Sequence, residues 1–76
     1  MKTYIPINVR AGRTKNVMKK VSTIEGIKTA YTCWGRPDIF AYAEVKDDKA
    51  LANVVLTQIH AVDGVQETDT HIVVEE

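Results

Sequence analysis

Four side chains stand out by type as able to do chemistry: Cys33, Asp38, His60 and His71, in a chain of 76 residues. A nucleophilic cysteine needs a base beside it, and the sequence places none next to Cys33. Cys33 alternates with Tyr31 and reads as a small buried hydrophobe. His60 and His71 have no cysteine or carboxylate at metal-ligand spacing, so they read as structural or surface residues. The four glycines (Gly12, Gly26, Gly35 and Gly64) are isolated from one another, which leaves no glycine-rich loop to cradle a phosphate. No catalytic group, no metal site and no cofactor is expected. The stretch "WGRPDI" (Trp34 to Ile39) is more specific. Gly35 permits positive φ, and Pro37 pushes Arg36 toward an extended conformation. Asp38 then opens a strand. Its carboxylate can accept backbone N–H groups and close the turn, or it can face an ammonium group, and the residues alone leave both open.

The elements that position this turn follow from a repeat. "TIEGIKTAYT" (Thr23 to Thr32) and "AVDGVQETDT" (Ala61 to Thr70) share the order aliphatic, acid, Gly, aliphatic, then a polar strand-like run. Each follows a segment of helical period. Val17, Val21 and Ile24 stand at i, i+4 and i+7, with Met18 beside them. Leu51, Val55, Ile59 and Val62 form the second stripe, widened by Val54. Gly26 and Gly64 follow these helices as C-terminal caps, while Asp47 or Asp48 can cap the start of the second. The alternating runs "YIPINV" and "DIFAYAEV" precede the two helices. Strand, helix, strand, twice over, predicts an α+β fold of the ferredoxin-like βαββαβ kind. Its four-stranded antiparallel sheet carries both helices on one face. Pro6 falls in a strand that this fold makes central, where a proline requires a bulge or irregular pairing.

Composition bounds the function. The chain reads as one domain over residues 1–76, 45% hydrophobic and 26% charged, with a formal net charge of zero. Nucleic-acid binding needs a basic face to neutralise phosphates. The densest basic cluster, Arg13, Lys15, Lys19 and Lys20, reads as the solvated side of a helix. No direct contact with nucleic acid or membrane is expected. No apolar run approaches the roughly 20 residues that span a bilayer. The opening "MKTYIPINVR" has no continuous apolar core of a signal peptide, and one cysteine cannot staple the fold, so the cytoplasm is the expected compartment.

Two helices cover only one face of a sheet. Ile5, Ile7 and Val9 share one phase with Ile39, Ala41, Ala43 and Val45; Tyr4, Pro6, Asn8, Phe40, Tyr42 and Glu44 fall on the other. Adjacent aromatics left wet on a monomer are unusual. Tyr4, Phe40 and Tyr42 are therefore expected to form a dimer interface, sheet against sheet, with a second copy of the chain.

The order "VSTIEGIKTAYTCWGRPDIFAYAEVKD…LTQIHAVDGVQETDTHIVVE" resembles the effector-binding, or RAM, domain of the Lrp/AsnC feast/famine transcriptional regulators. The shared pieces are I-x-G-V at Ile24 to Ile27, G-x-x-D at Gly35 to Asp38, a second I-x-G-V at Val62 to Val65, and T-x-T at Thr68 to Thr70. The family commonly has a small polar residue before the Gly and an aromatic before the Asp, where this chain has Trp34 and Pro37. The resemblance implies dimers through the sheet face, rings of four dimers, and a small-molecule site, usually for an amino acid, at the contact between dimers. Carried over by position, that site comprises Gly35, Arg36, Pro37 and Asp38, with Thr68 and Thr70. Thr70 is expected beside the turn on the view that the second and fourth strands run together. Trp34 is expected to set the specificity of that site. The chain lacks the N-terminal helix-turn-helix of full-length members, so a stand-alone RAM protein is expected. The expected function is amino-acid sensing and oligomerisation, with a full-length regulator as a further partner. Two alternatives are a structural heteromeric partner of such regulators that binds no ligand, and a small dimeric α+β barrel enzyme. The Ile, Ala and Val lining between helices and sheet argues against the enzyme.

Overall fold

The alternating first run becomes strand β1 (Lys2–Val9), whose Thr3, Ile5, Ile7 and Val9 are buried while the residues between them are not. Helix α1 (Thr14–Val21) buries Val17 and Val21 and carries Lys19 and Lys20 in its last turn, where they favour its negative C-terminal pole. Strands β2 (Ile27–Thr32) and β3 (Ile39–Glu44) form a hairpin through the Trp34–Asp38 turn. Helix α2 (Asp48–Ala52) starts on Asp47, whose side chain accepts the Ala50 N–H at 2.8 Å, and continues as a π-helical stretch, Asn53–Ile59. β4 (Val65–Thr68) and β5 (His71–Ile72) complete the chain in the computed structural model, which describes residues 1–74.

The sheet runs in the order β2-β3-β1-β4, with β5 also paired to β1, and every pairing is antiparallel. The two strand–helix–strand halves thus interleave as the sequence repeat requires, and the fold is ferredoxin-like. The core is one layer between sheet and helices: Ile5, Ile7, Val9, Ile39, Ala41 and Ala43 below; Val17, Val21, Ile24, Leu51, Val54, Val55 and Ile59 above. The small Ala41 and Ala43 let the helices sit close to the central strand.

Gly64 shows how tightly the halves join. It has φ of +106°, and a Cβ there would lie 2.7 Å from the Cβ of Arg13. Beside it Asp63 accepts hydrogen bonds from both Arg13 and Arg10, the latter at 3.4 Å. The two guanidinium groups, Arg13 first, hold the Asp63 carboxyl below its ordinary value of 3.8.

The expected single last strand is divided into two. Pairing to β1 passes from β4 to β5 across Asp69 and Thr70. The same break accommodates Pro6. Its carbonyl accepts the Asp69 N–H at 3.1 Å, so its backbone faces the β4/β5 flank, and the missing proline N–H falls where the ladder is interrupted. A further register shift between Asn8 and Val9 adds to the irregularity there. Cys33 is half-buried rather than sealed in the core, because it already belongs to the turn that leaves the sheet.

Candidate ligand-binding site

The turn is built by local rules. Gly35 adopts φ of +94° with open space around it, and the Arg36–Pro37 peptide is cis. Asp38 then locks the turn to its neighbours. Its N–H donates to the Ile7 carbonyl at 3.0 Å, its own carbonyl accepts the Cys33 N–H at 2.8 Å, and its Oδ2 accepts the Val9 N–H at 2.7 Å. Val9 has outrun strand β3, which begins opposite Ile7, so the carboxylate supplies the acceptor that a continued strand would have offered. Oδ1 of Asp38 has no donor among the described residues. One oxygen of this carboxylate is structural, and the other is left over.

Next to the turn lies a cleft of about 460 Å³ lined by Pro6, Asn8, Arg36, Pro37, Glu67, Thr68 and Asp69. It brings a guanidinium on one side together with two carboxylates on the other. Glu67 accepts from the Asn8 amide at 2.8 Å, and Asp69 contacts His71 Nε2 at 3.1 Å. Thr68 is held from the helix side by His60, at 2.9 Å between Oγ1 and Nε2. Arg36 forms no ion pair with another described residue. A positive group facing negative ones across an open cleft suits a small zwitterion, whose two poles need opposite partners.

Of the residues named from sequence, Arg36, Pro37 and Thr68 line this cleft, while Trp34, Gly35, Asp38 and Thr70 do not. Thr70 departs for a reason of direction. β2 runs parallel to β1 and β4 antiparallel to it, so the second and fourth strands run in opposite senses, not together. β4 therefore starts level with the turn and moves away from it. Thr68 pairs with Ile7, the residue bonded to Asp38, while Thr70 lies two residues further, about 7 Å along the strand. The correct strand direction would also have drawn in Glu67 and Asp69, which flank Thr68 and were missed. Asn8 and Pro6 were placed on the open face by alternation but not assigned to the site.

That open face carries the aromatics. Tyr4 is 50% exposed and Phe40 42%, and the Tyr4 and Tyr42 rings pack at 5.0 Å between centroids, tilted by 47°. Cross-strand register puts Tyr31, 64% exposed, opposite Phe40, and His71 opposite Tyr4. Among the described residues no three or more metal-ligating side chains converge, and no helix is long and apolar enough to cross a membrane.

The sequence matches the Lrp/AsnC ligand binding domain over residues 2–76. The chain belongs to that family. Solved structures share its fold. The protein TTHA0845 from Thermus thermophilus superposes with a TM-score of 0.93 at 23% identity, covering 99% of this chain and 94% of that one. E. coli AsnC gives 0.91 at 24% identity, over 99% of this chain and 51% of its own. The transcriptional regulator NMB0573 of Neisseria meningitidis, in complex with L-Met, gives 0.85 at 21% identity, over 99% and 50%. This Lrp/AsnC domain thus spans about half the length of those two regulators. No curated protein matches it.

Proposed function

We propose that this domain is a cytoplasmic amino-acid sensor and oligomerisation module rather than an enzyme, and that its effector is held at the Trp34–Asp38 turn. The cleft carries this reading, because it brings Arg36 together with Glu67 and Asp69, and the effector reaches past the cleft lining to the Oδ1 of Asp38, which has no donor among the described residues. Arg36 takes the effector's carboxylate in bidentate fashion, and the acids take its ammonium. Gly35 and Thr70 frame the loop and the strand break on either side. Family membership supports a ligand-binding role, and the L-Met complex of the Neisseria relative supports an amino acid as the ligand class.

The same reading makes the protein a homo-oligomer. A second copy covers Tyr4, Phe40 and Tyr42, sheet against sheet, and dimers join further into rings of four. Isothermal titration of the wild-type protein with each common amino acid tests the sensor. A saturable signal for one of them, lost in Arg36→Ala, is expected. If none of them binds, the domain assembles with full-length regulators as a structural partner and senses nothing.

A further inference from the structure

Trp34 is fully exposed, the most exposed of the large hydrophobic side chains, and it lines neither the cleft at Arg36 nor the groove beside α1. Two residues before it in the chain, Thr32 lines a groove of about 530 Å³. The other walls are Thr14, Lys15, Met18, Lys19 and Ser22 of the α1 face. The groove's surface is almost wholly carbon and sulfur, so the lysines contribute their methylene stems, and their ammonium groups rim it. The chain therefore carries an unpartnered indole and an apolar slot side by side.

We infer that this groove receives the Trp34 side chain of a second copy of the chain, in a reciprocal contact separate from the open sheet face. Adjacency makes the contact reciprocal. A two-fold interface uses one patch twice, so knob and hole must lie on the same patch. Thr32 and Trp34 are within about 7 Å along the backbone, which satisfies that condition. A two-fold axis near the hairpin tip then seats both indoles at once.

The rim chemistry matches the occupant. Lys15 and Lys19 stand at i and i+4, a like-charged pair that repels on an empty helix face. The face of an indole is the strongest aromatic partner for such cations. Size sets the role. Each tryptophan contributes about 150–250 Å². With the groove walls, a reciprocal pair buries about 600–1,000 Å² in total, below the roughly 1,200 Å² of a self-sufficient interface. The contact therefore joins units already assembled through another surface.

Trp34 is the single tryptophan in the chain, so its emission reports the contact directly. Wild-type protein should show an emission shift to shorter wavelength, and loss of acrylamide quenching, as concentration rises through the last association step seen by sedimentation velocity. Trp34→Ala should remove that step and bring the limiting mass down to that of the sheet-face dimer. Met18→Glu should abolish both the emission shift and the step with Trp34 still present. Ser22→Arg, on the exposed groove wall, repeats this block without touching the core. A wild-type emission that stays solvent-like in the fully assembled protein overturns the inference. So does an emission shift that survives both groove variants, which would place the indole elsewhere.

Discussion

Asp38 offers a separation of two roles within one side chain. Its Oδ2 holds the Val9 N–H at 2.7 Å, and its Oδ1 is assigned to the effector. Asp38→Asn keeps an acceptor for Val9 but removes the charge, and Asp38→Ala removes both. A hydrogen bond to a charged group is worth about 1.5–3 kcal/mol, and one to a neutral acceptor about 0.5–1.5. The structural cost is therefore about 1 kcal/mol for Asn and about 2 for Ala. In a domain of this size each kcal/mol lowers Tm by roughly 4–8 °C. Effector binding should respond differently. Losing the charged contact weakens Kd about 10- to 150-fold in both variants alike. Thermal unfolding at fixed protein concentration, paired with titration calorimetry of the bound amino acid, reads the two effects separately. An Asn variant that binds as tightly as wild type removes Asp38 from the effector site. An Ala variant that melts with wild type shows that the Val9 bond does not hold the turn.

Phe40→Asp places an unpaired charge in the proposed sheet-face interface, and sedimentation should show monomer where wild type is dimeric or larger; a wild-type monomer at micromolar concentration defeats the interface outright. Gly64→Ala meets both a positive φ and the Arg13 side chain, so denaturant unfolding should show a loss of at least roughly 1–3 kcal/mol, whereas Gly12→Ala, with positive φ but open space, should cost less. Thr3 is fully buried and its hydroxyl has no partner among the described residues, so Thr3→Val should stabilise by about 1 kcal/mol, seen as a raised denaturant midpoint with unchanged slope. The lowered Asp63 pKa means the folded state prefers its carboxylate, so that contribution is present above pH 3.8 and fades as pH falls below it; Asp63→Asn should flatten this acid limb, and salt should shrink it because the groups are exposed.

Periodicity made most of the fold legible. Val17, Val21, Leu51, Val55 and Ile59 sit in the core because their spacing allows only one helical face. The alternation of Ile39, Ala41 and Ala43 with Phe40 and Tyr42 likewise separated the two sheet faces. The site was legible only in part. The G-x-x-D turn announced itself through Gly35 and Pro37, local residues with local conformational demands. Glu67 and Asp69 did not, because a carboxylate on a strand looks the same whether it faces solvent or an arginine from another element. Placing them requires the direction of β4 relative to β1, a long-range fact carried by topology rather than by any residue. The break at Asp69–Thr70 was hidden for the same reason, although Pro6, its counterpart, was visible.

That break gives the two flanks of β1 different lifetimes. Toward β3, six consecutive residue pairs form one uninterrupted ladder. Toward β4 and β5, the ladder comes in short pieces separated at Pro6. Successive residues of a strand direct their amides to opposite sides, so neighbours along β1 report on different flanks. Ile5 and Ile7, bonded toward β3, open only when the domain unfolds as a whole. Tyr4 and Asn8, bonded toward the broken flank, open by local fraying. Deuterium uptake along this one strand should therefore alternate residue by residue, slow then fast, with the sheet's weak seam written into the exchange rates of a single backbone.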